Sequence, residues 1–259
     1  ANLLKTNEPM KIRHIFISCL LALSGFFSCN QKEVEILVFP YDSHIELRWP
    51  KIEGANSYLI FASLDGGEFA QRAETSDTLL MDFWMNKEDG RKPIDYKIEA
   101  VTNKGKKEIA QITTQTREMN EEELLDMVQF YTFRYFYYGA ELTSGMAPER
   151  IHIDGEYPEN DAHIVTTGGT GFGIFGLIAG IERGWISKEQ GLAHFEKMVT
   201  FLEKADRYHG IWAHWIDGQT GKTKPFSPKD DGADLVESAF LMQGLLAVRE
   251  YFRNGNNEE

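Results

Sequence analysis

The sequence predicts a multidomain chain in which an all-β sandwich is followed by an all-α region of paired helices. Three observations predict it. Apolar and polar residues alternate in short runs between residues 33 and 116, the apolar period turns helical after Thr116, and amphipathic helices then alternate with helices apolar all round. The 259 residues allow one large domain or two small ones, and with 42% hydrophobic and 12% aromatic residues they are too apolar for a disordered chain. The formal charge of −13 comes without any Lys/Arg cluster able to track a phosphate backbone, which disfavours nucleic acid as a partner.

The first thirty residues belong to neither fold. Residues 1–9 have no targeting character and read as translated upstream sequence, with Met10 as the start. Residues 10–29 read as a secretory signal, because Lys11, Arg13 and His14 precede an apolar run from Ile15 to Phe27 and the small-residue site Ser28-Cys29. A run of about thirteen apolar residues is too short to span a bilayer. The ending Phe26-Phe27-Ser28-Cys29 resembles a loose bacterial lipobox and marks Cys29 as a lipidated first residue, so the expectation is an exported lipoprotein, outer-membrane or periplasmic, of a Gram-negative bacterium. The alternative is an ordinary secreted protein. Cys19 and Cys29 are the only cysteines, so the mature part has no disulfide and no thiolate metal site.

Residues 33–116 read as a sandwich of about seven short strands. Ile45 to Trp49 alternates and stops at Pro50; Ser57 to Ala62 leads into an Asp65-Gly66-Gly67 hairpin turn; Thr78 to Asp82, Tyr96 to Val101 and Glu108 to Ile112 follow, the last two joined through Asn103-Lys104-Gly105. This pattern resembles a fibronectin type III domain, with Trp49 as the buried Trp of an early strand and Tyr96 at the tyrosine corner. The resemblance implies core packing for both aromatics.

From residue 119 the elements are helical. Asn120-Glu-Glu-Glu123 and Ser187-Lys-Glu-Gln190 are capping boxes, and each opens an amphipathic helix, the first over about residues 121–138. The segments Gly169 to Ile181 and Leu235 to Val248 are apolar all round and are expected inside, as when αα-hairpins are laid into a double ring whose glycines permit close contact. Gly171-Phe-Gly173-Ile-Phe-Gly176 matches a dinucleotide fingerprint, but no second strand ending in an acidic residue follows, so helix packing is the better reading and no nucleotide is implied.

Two stretches concentrate chemistry. His152 to His163 is rich in oxygen and imidazole ligands without EF-hand spacing; it reads as a solvated loop, a pocket loop with sugar-binding or catalytic carboxylates, or a metal site. Arg207 to Ser238 is a long connection that keeps Trp212, His214, Trp215, Asp231, Asp234 and Glu237 together, as functional loops do. Trp212 and Trp215 offer flat faces for sugar rings or for packing. Asp234 and Glu237 share one face of the first turns of an apolar helix, where partial desolvation and the like charge of Asp231 would raise a carboxyl pKa, as a general acid requires; the alternative is a helix cap.

Thr167-Gly-Gly-Thr-Gly-Phe-Gly, Phe201-Leu-Glu-Lys-Ala-Asp-Arg-Tyr-His-Gly, His214-Trp-Ile-Asp-Gly-Gln-Thr-Gly and Asp230-Asp-Gly-Ala-Asp-Leu-Val-Glu-Ser-Ala-Phe-Leu-Met-Gln-Gly make residues 119–253 similar to the glycoamylase-like family of Bacteroidetes, glycoside hydrolase family 144, which includes β-1,2-glucanases. The resemblance implies an (α/α)6 toroid with its pocket at one end of the inner helices, and an inverting hydrolase, in which an acid protonates the leaving oxygen while a base activates water. It makes Glu237 the general acid, Asp161 a pocket carboxylate and one candidate base beside the missing C-terminal part, which is the favoured source, and Asp231, Asp234, His214 and Trp215 substrate-binding wall residues, to which Trp212 is added as a binding candidate. It implies an oligo- or polysaccharide substrate, no cofactor, no metal and no membrane contact beyond the lipid anchor. β-1,2-Glucan is the first expectation and an α-glucan the second. A non-catalytic carbohydrate-binding lipoprotein is the reading from another class. Four helices in residues 119–259 are about 35 residues each, so a ring of twelve needs roughly 400 residues. The expectation is therefore a C-terminally truncated toroid.

Overall fold

The computed structural model describes residues 34–152 and 156–253; the leader, the signal segment and Cys29 lie outside the described residues. The chain forms two compact units that divide between Arg117 and Glu118.

The first unit contains β1 (Leu37–Pro40), β2 (His44–Arg48), β3 (Ala55–Leu64), β4 (Ala70–Thr75), β5 (Leu79–Phe83), a single-turn helix α1 (Lys87–Gly90), β6 (Ile94–Thr102) and β7 (Gly105–Thr114). A three-stranded sheet β1-β2-β5 and a four-stranded sheet β4-β3-β6-β7, antiparallel throughout, make the β-sandwich. Strand alternation explains the core. Ile94, Tyr96, Ile98 and Ala100 on β6 point inward against Ile45 and Leu47 on β2 and Tyr58 and Ile60 on β3. Trp49 is buried edge-on to Tyr58, at 5.4 Å between ring centroids.

Tyr96 departs from the expected corner, because its hydroxyl donates to a side chain, Asp82 Oδ2, at 2.6 Å, and accepts from Trp84 Nε1 at 2.9 Å. Arg72 closes the group with Nη2 2.6 Å from Asp82 Oδ1. Burial and the neighbouring Asp82 charge push the Tyr96 hydroxyl pKa up, so it stays a donor.

The second unit contains α2 (Glu121–Tyr137), β8 (Ile164–Thr166), α3 (Thr167–Glu182), α4 (Lys188–Lys204), β9 (Arg207–Tyr208), β10 (Ile211–Trp212), β11 (Trp215–Asp217) and α5 (Leu235–Arg253). Both expected capping boxes are present: Asn120 with Glu123 starts α2, and Ser187 with Gln190 starts α4. Phe133, Ile174, Leu177, Phe195, Leu202 and Leu241 form the core between the four helices. The Gly171–Gly176 motif lies inside α3 and serves packing, since a Cβ at Gly171 would stand 2.3 Å from the backbone oxygen of Phe240 on α5.

The all-round apolar helices are not buried all round. Phe172 is 61% exposed on α3 and Leu235 73% on α5, while Phe172 and Phe240 touch each other at 5.0 Å between ring centroids. Their buried faces are the ones turned to each other and to α2 and α4. Among the described residues no helix is long and apolar enough to cross a membrane.

Candidate active site

The long connection between α4 and α5 is held by short strands. β9 and β10 form a hairpin, and β11 pairs antiparallel with β8, Trp215 opposite Thr166. Since β8 runs directly into α3, this pairing sets His214 beside the first turn of α3, where Thr167 N–H donates to the His214 carbonyl at 3.1 Å. At the far end of the connection, Asp234 N–H donates to the Trp212 carbonyl at 2.9 Å, and Ser238 Oγ bonds the same backbone. The first turn of α5 is thereby tied to the loop that carries His214.

Asp234 caps α5: its Oδ1 accepts from the N–H groups of Val236 at 2.9 Å and Glu237 at 3.0 Å. This cap places Glu237 one turn in, with its carboxylate against α3. Only glycine allows that position, because a Cβ at Gly168 would lie 1.9 Å from Glu237 Oε2. The Glu237 side chain is 20% exposed and has His214 Nε2 at 3.7 Å, while His214 Nδ1 lies 3.5 Å from Asp234 Oδ2. His214 stacks on Trp215 at 3.8 Å between centroids and 16° between planes, and Trp215 meets the edge of Phe226 at 5.0 Å.

Beyond Phe226 lies a second charged group. The Arg150 guanidinium lies 5.8 Å from the Phe226 ring centre, and its Nε is 3.2 Å from Asp161 Oδ2, with His152 Nε2 at 3.6 Å from the same oxygen. The strand-like segment before Arg150 is pinned by Glu149 N–H to the Ile164 carbonyl and by the Tyr135 hydroxyl, pushed up in pKa by burial, to the Pro148 carbonyl at 2.7 Å.

The structure thus joins Glu237, Asp234, His214 and Trp215 directly and brings Asp161 into the same neighbourhood through Arg150 and Phe226. Two of the expected site residues are enclosed by protein. Asp161 is wholly buried, and among the described residues neither oxygen has a hydrogen bond, which is the position of an interior counter-ion to Arg150 and not of a carboxylate open to sugar or water. Trp212 packs into the helical core, 9% exposed, with its indole N–H donating to the Leu202 carbonyl at 3.2 Å, so its faces are taken by protein. Asp231 is exposed on the approach to α5. Among the described residues no three His, Cys, Asp or Glu side chains are grouped to hold a metal ion, and Asp154 lies outside them. Sequence reasoning missed Arg150, Phe226 and Gly168. Gly168 had a signal in the glycine run, but Arg150 and Phe226 had none.

A chain 42% identical over 230 residues, exo β-1,2-glucooligosaccharide sophorohydrolase from Parabacteroides distasonis, matches 85% of this sequence. The crystal structure of a β-1,2-glucanase from Parabacteroides distasonis aligns over 88% of this chain at 39% identity and a TM-score of 0.70. The chain is a homologue of the β-1,2-glucanases. The endo-β-1,2-glucanase of Chitinophaga pinensis, solved with sophorotriose and glucose, is 58% identical over 54% of the chain, with a TM-score of 0.53. This homologue spans about a third of the length of its relatives: 30% of the sophorohydrolase, 32% of the Parabacteroides glucanase and 34% of the Chitinophaga glucanase. No family model matches it.

Proposed function

We propose that the protein is an exported lipoprotein glycoside hydrolase that inverts configuration on β-1,2-glucan, with Glu237 as the general acid. One observation carries the reading: Glu237 is the carboxylate that α3, α5 and β11 converge upon, in a chain whose relatives are β-1,2-glucan hydrolases. A glycosidic oxygen leaves as an alcohol only if it gains a proton as the C–O bond breaks. Glu237, 20% exposed, supplies that proton. Trp215 backs the imidazole of His214 beside it. The anchor is an acyl chain at Cys29.

Reducing-sugar release from β-1,2-glucan, starch and laminarin by the full-length gene product tests the activity. The expected result is release from β-1,2-glucan alone, reduced about 10²- to 10⁴-fold in Glu237→Gln, the range that a general acid contributes. Release from starch alone would transfer the protein to the α-glucan hydrolases. No release from any substrate, with Glu237→Gln binding glucan as tightly as the wild type, would leave a carbohydrate-binding lipoprotein. Labelling with radioactive palmitate, lost in Cys29→Ser, tests the anchor.

A further inference from the structure

Glu237 ends a line of three titratable side chains. Asp234 divides its carboxylate, with Oδ1 taken by two backbone N–H groups of α5 and Oδ2 left facing His214 Nδ1 at 3.5 Å. On the opposite edge of the imidazole, Nε2 faces Glu237 Oε2 at 3.7 Å. The ring cannot turn freely between them, because it lies parallel on Trp215, itself fixed by strand pairing to Thr166, while the His214 carbonyl is held by Thr167. Among the described residues no Lys or Arg forms an ion pair with Asp234 or Glu237, so His214 is the group that mediates between the two carboxyls.

We propose that Asp234 is a positioning residue: it fixes His214 as the tautomer protonated on Nδ1, so that Nε2 turns its lone pair toward the proton Glu237 carries as the acid. The argument is one of donors and acceptors. A neutral imidazole has one N–H and one bare nitrogen, and a carboxylate accepts without donating. With Glu237 protonated, as the acid must be, the nitrogen that faces Asp234 keeps the hydrogen and the nitrogen that faces Glu237 is bare. A bare nitrogen is complementary to a carboxylic acid. After proton transfer to the leaving oxygen, a proton taken up from solvent restores the acid, and the same nitrogen is placed to accept its hydrogen bond. The inference rests on Glu237 being the acid, because an ionised Glu237 would compete with Asp234 for the imidazole hydrogen.

Long-range ¹H–¹⁵N NMR of the imidazoles of the 259-residue chain reads the tautomer without any turnover, at a pH where the rings are uncharged, with His214→Gln providing the assignment. Wild-type His214 is expected to show a protonated Nδ1 and a bare Nε2. Asp234→Asn keeps a side-chain oxygen for the helix cap and removes the carboxylate charge, as does Asp234→Ser, so both should fold and both should lose or reverse the preference. Glu237→Gln should retain it. A wild-type ring protonated on Nε2, or a preference unchanged in both Asp234 variants, overturns the proposal. Absence of hydrolysis would count against the acid and leave the tautomer result standing.

Discussion

The backbone contact between α3 and α5 makes a quantitative prediction. α3 and α5 meet backbone to backbone: a Cβ at Gly171 would lie 2.3 Å from the Phe240 oxygen, 2.4 Å from its carbonyl carbon and 2.7 Å from the Leu241 nitrogen. Favourable non-bonded contacts sit near 3.5–4.0 Å, so Gly171→Ala forces α5 back by about 1 Å. No side chain can rotate out of the way, because every atom met is main chain. Overpacking of this kind costs about 1–3 kcal/mol, and more when backbone must move. The retreat also loosens Ile174, Leu177 and Leu241, all of them fully buried between the same helices. Against this stands the helix propensity of Ala over Gly, about 1 kcal/mol. The net expectation is a loss of about 2 kcal/mol. Gly176→Ala provides the internal control, since its Cβ would meet only Phe136 Cδ2 at 3.7 Å, an ordinary contact, and the propensity gain of about 1 kcal/mol should survive. Urea unfolding followed by the helical circular dichroism signal should therefore move the two variants in opposite directions, about 3 kcal/mol apart. A Gly171→Ala variant as stable as the wild type would refute the reasoning, because α3 and α5 could not then be in backbone contact.

The remaining predictions concern the site and the pH dependence. Gly168→Ala should leave the urea midpoint unchanged or slightly raised, because its Cβ meets only the flexible end of Glu237, at 1.9 Å from Oε2; displaced from His214, that carboxyl should lose about 10²-fold or more in glucan hydrolysis, and full activity would show that the observed seat of Glu237 is not the working one. His194 bonds the Gly145 carbonyl through Nε2 at 2.8 Å, and burial holds its pKa below the ordinary 6.5, with Lys197 adding to the effect and the Gly145 bond opposing it. Below about pH 6.5 the unfolded chain then binds protons that the folded chain resists, so this contribution is complete above that pH and lost as pH falls toward the folded pKa. Wild type should lose more stability than His194→Gln between pH 7.5 and 5.5, and equal losses would remove His194 as the cause.

What the sequence disclosed follows from the range over which each feature is decided. The two capping boxes are settled within four residues, and both Asn120 with Glu123 and Ser187 with Gln190 stand where their letters put them. Strand β6 shows its alternation because one side of it is buried, whereas β2, whose letters also alternate, is buried on both sides from His44 to Leu47; β4 does not alternate, because it is an edge strand whose residues are largely exposed, and β1 does not, because four successive residues Leu-Val-Phe-Pro carry no period. Asp234 is instructive in a different way. Read locally, it is either a helix cap or a like charge near Glu237, and the structure commits Oδ1 to the cap while Oδ2 faces His214.

Trp212 and Trp215 mark the limit of such reading. They are separated by two residues, both aromatic and both flanked by short polar and apolar letters, and nothing in that pattern distinguishes them. Their fates are decided by partners far along the chain: β10 turns Trp212 toward the Leu202 carbonyl in the core, whereas pairing with Thr166 of β8 turns Trp215 to His214 and Phe226. The same holds for Asp161, whose carboxylate is typical of a pocket loop by composition and buried against Arg150 by placement. Residue type identifies which side chains are able to do the chemistry. Which of them are brought together is determined by the short strands that stitch the long connection to α3 and α5, and those strands are two or three residues long, below the length at which a period can be seen.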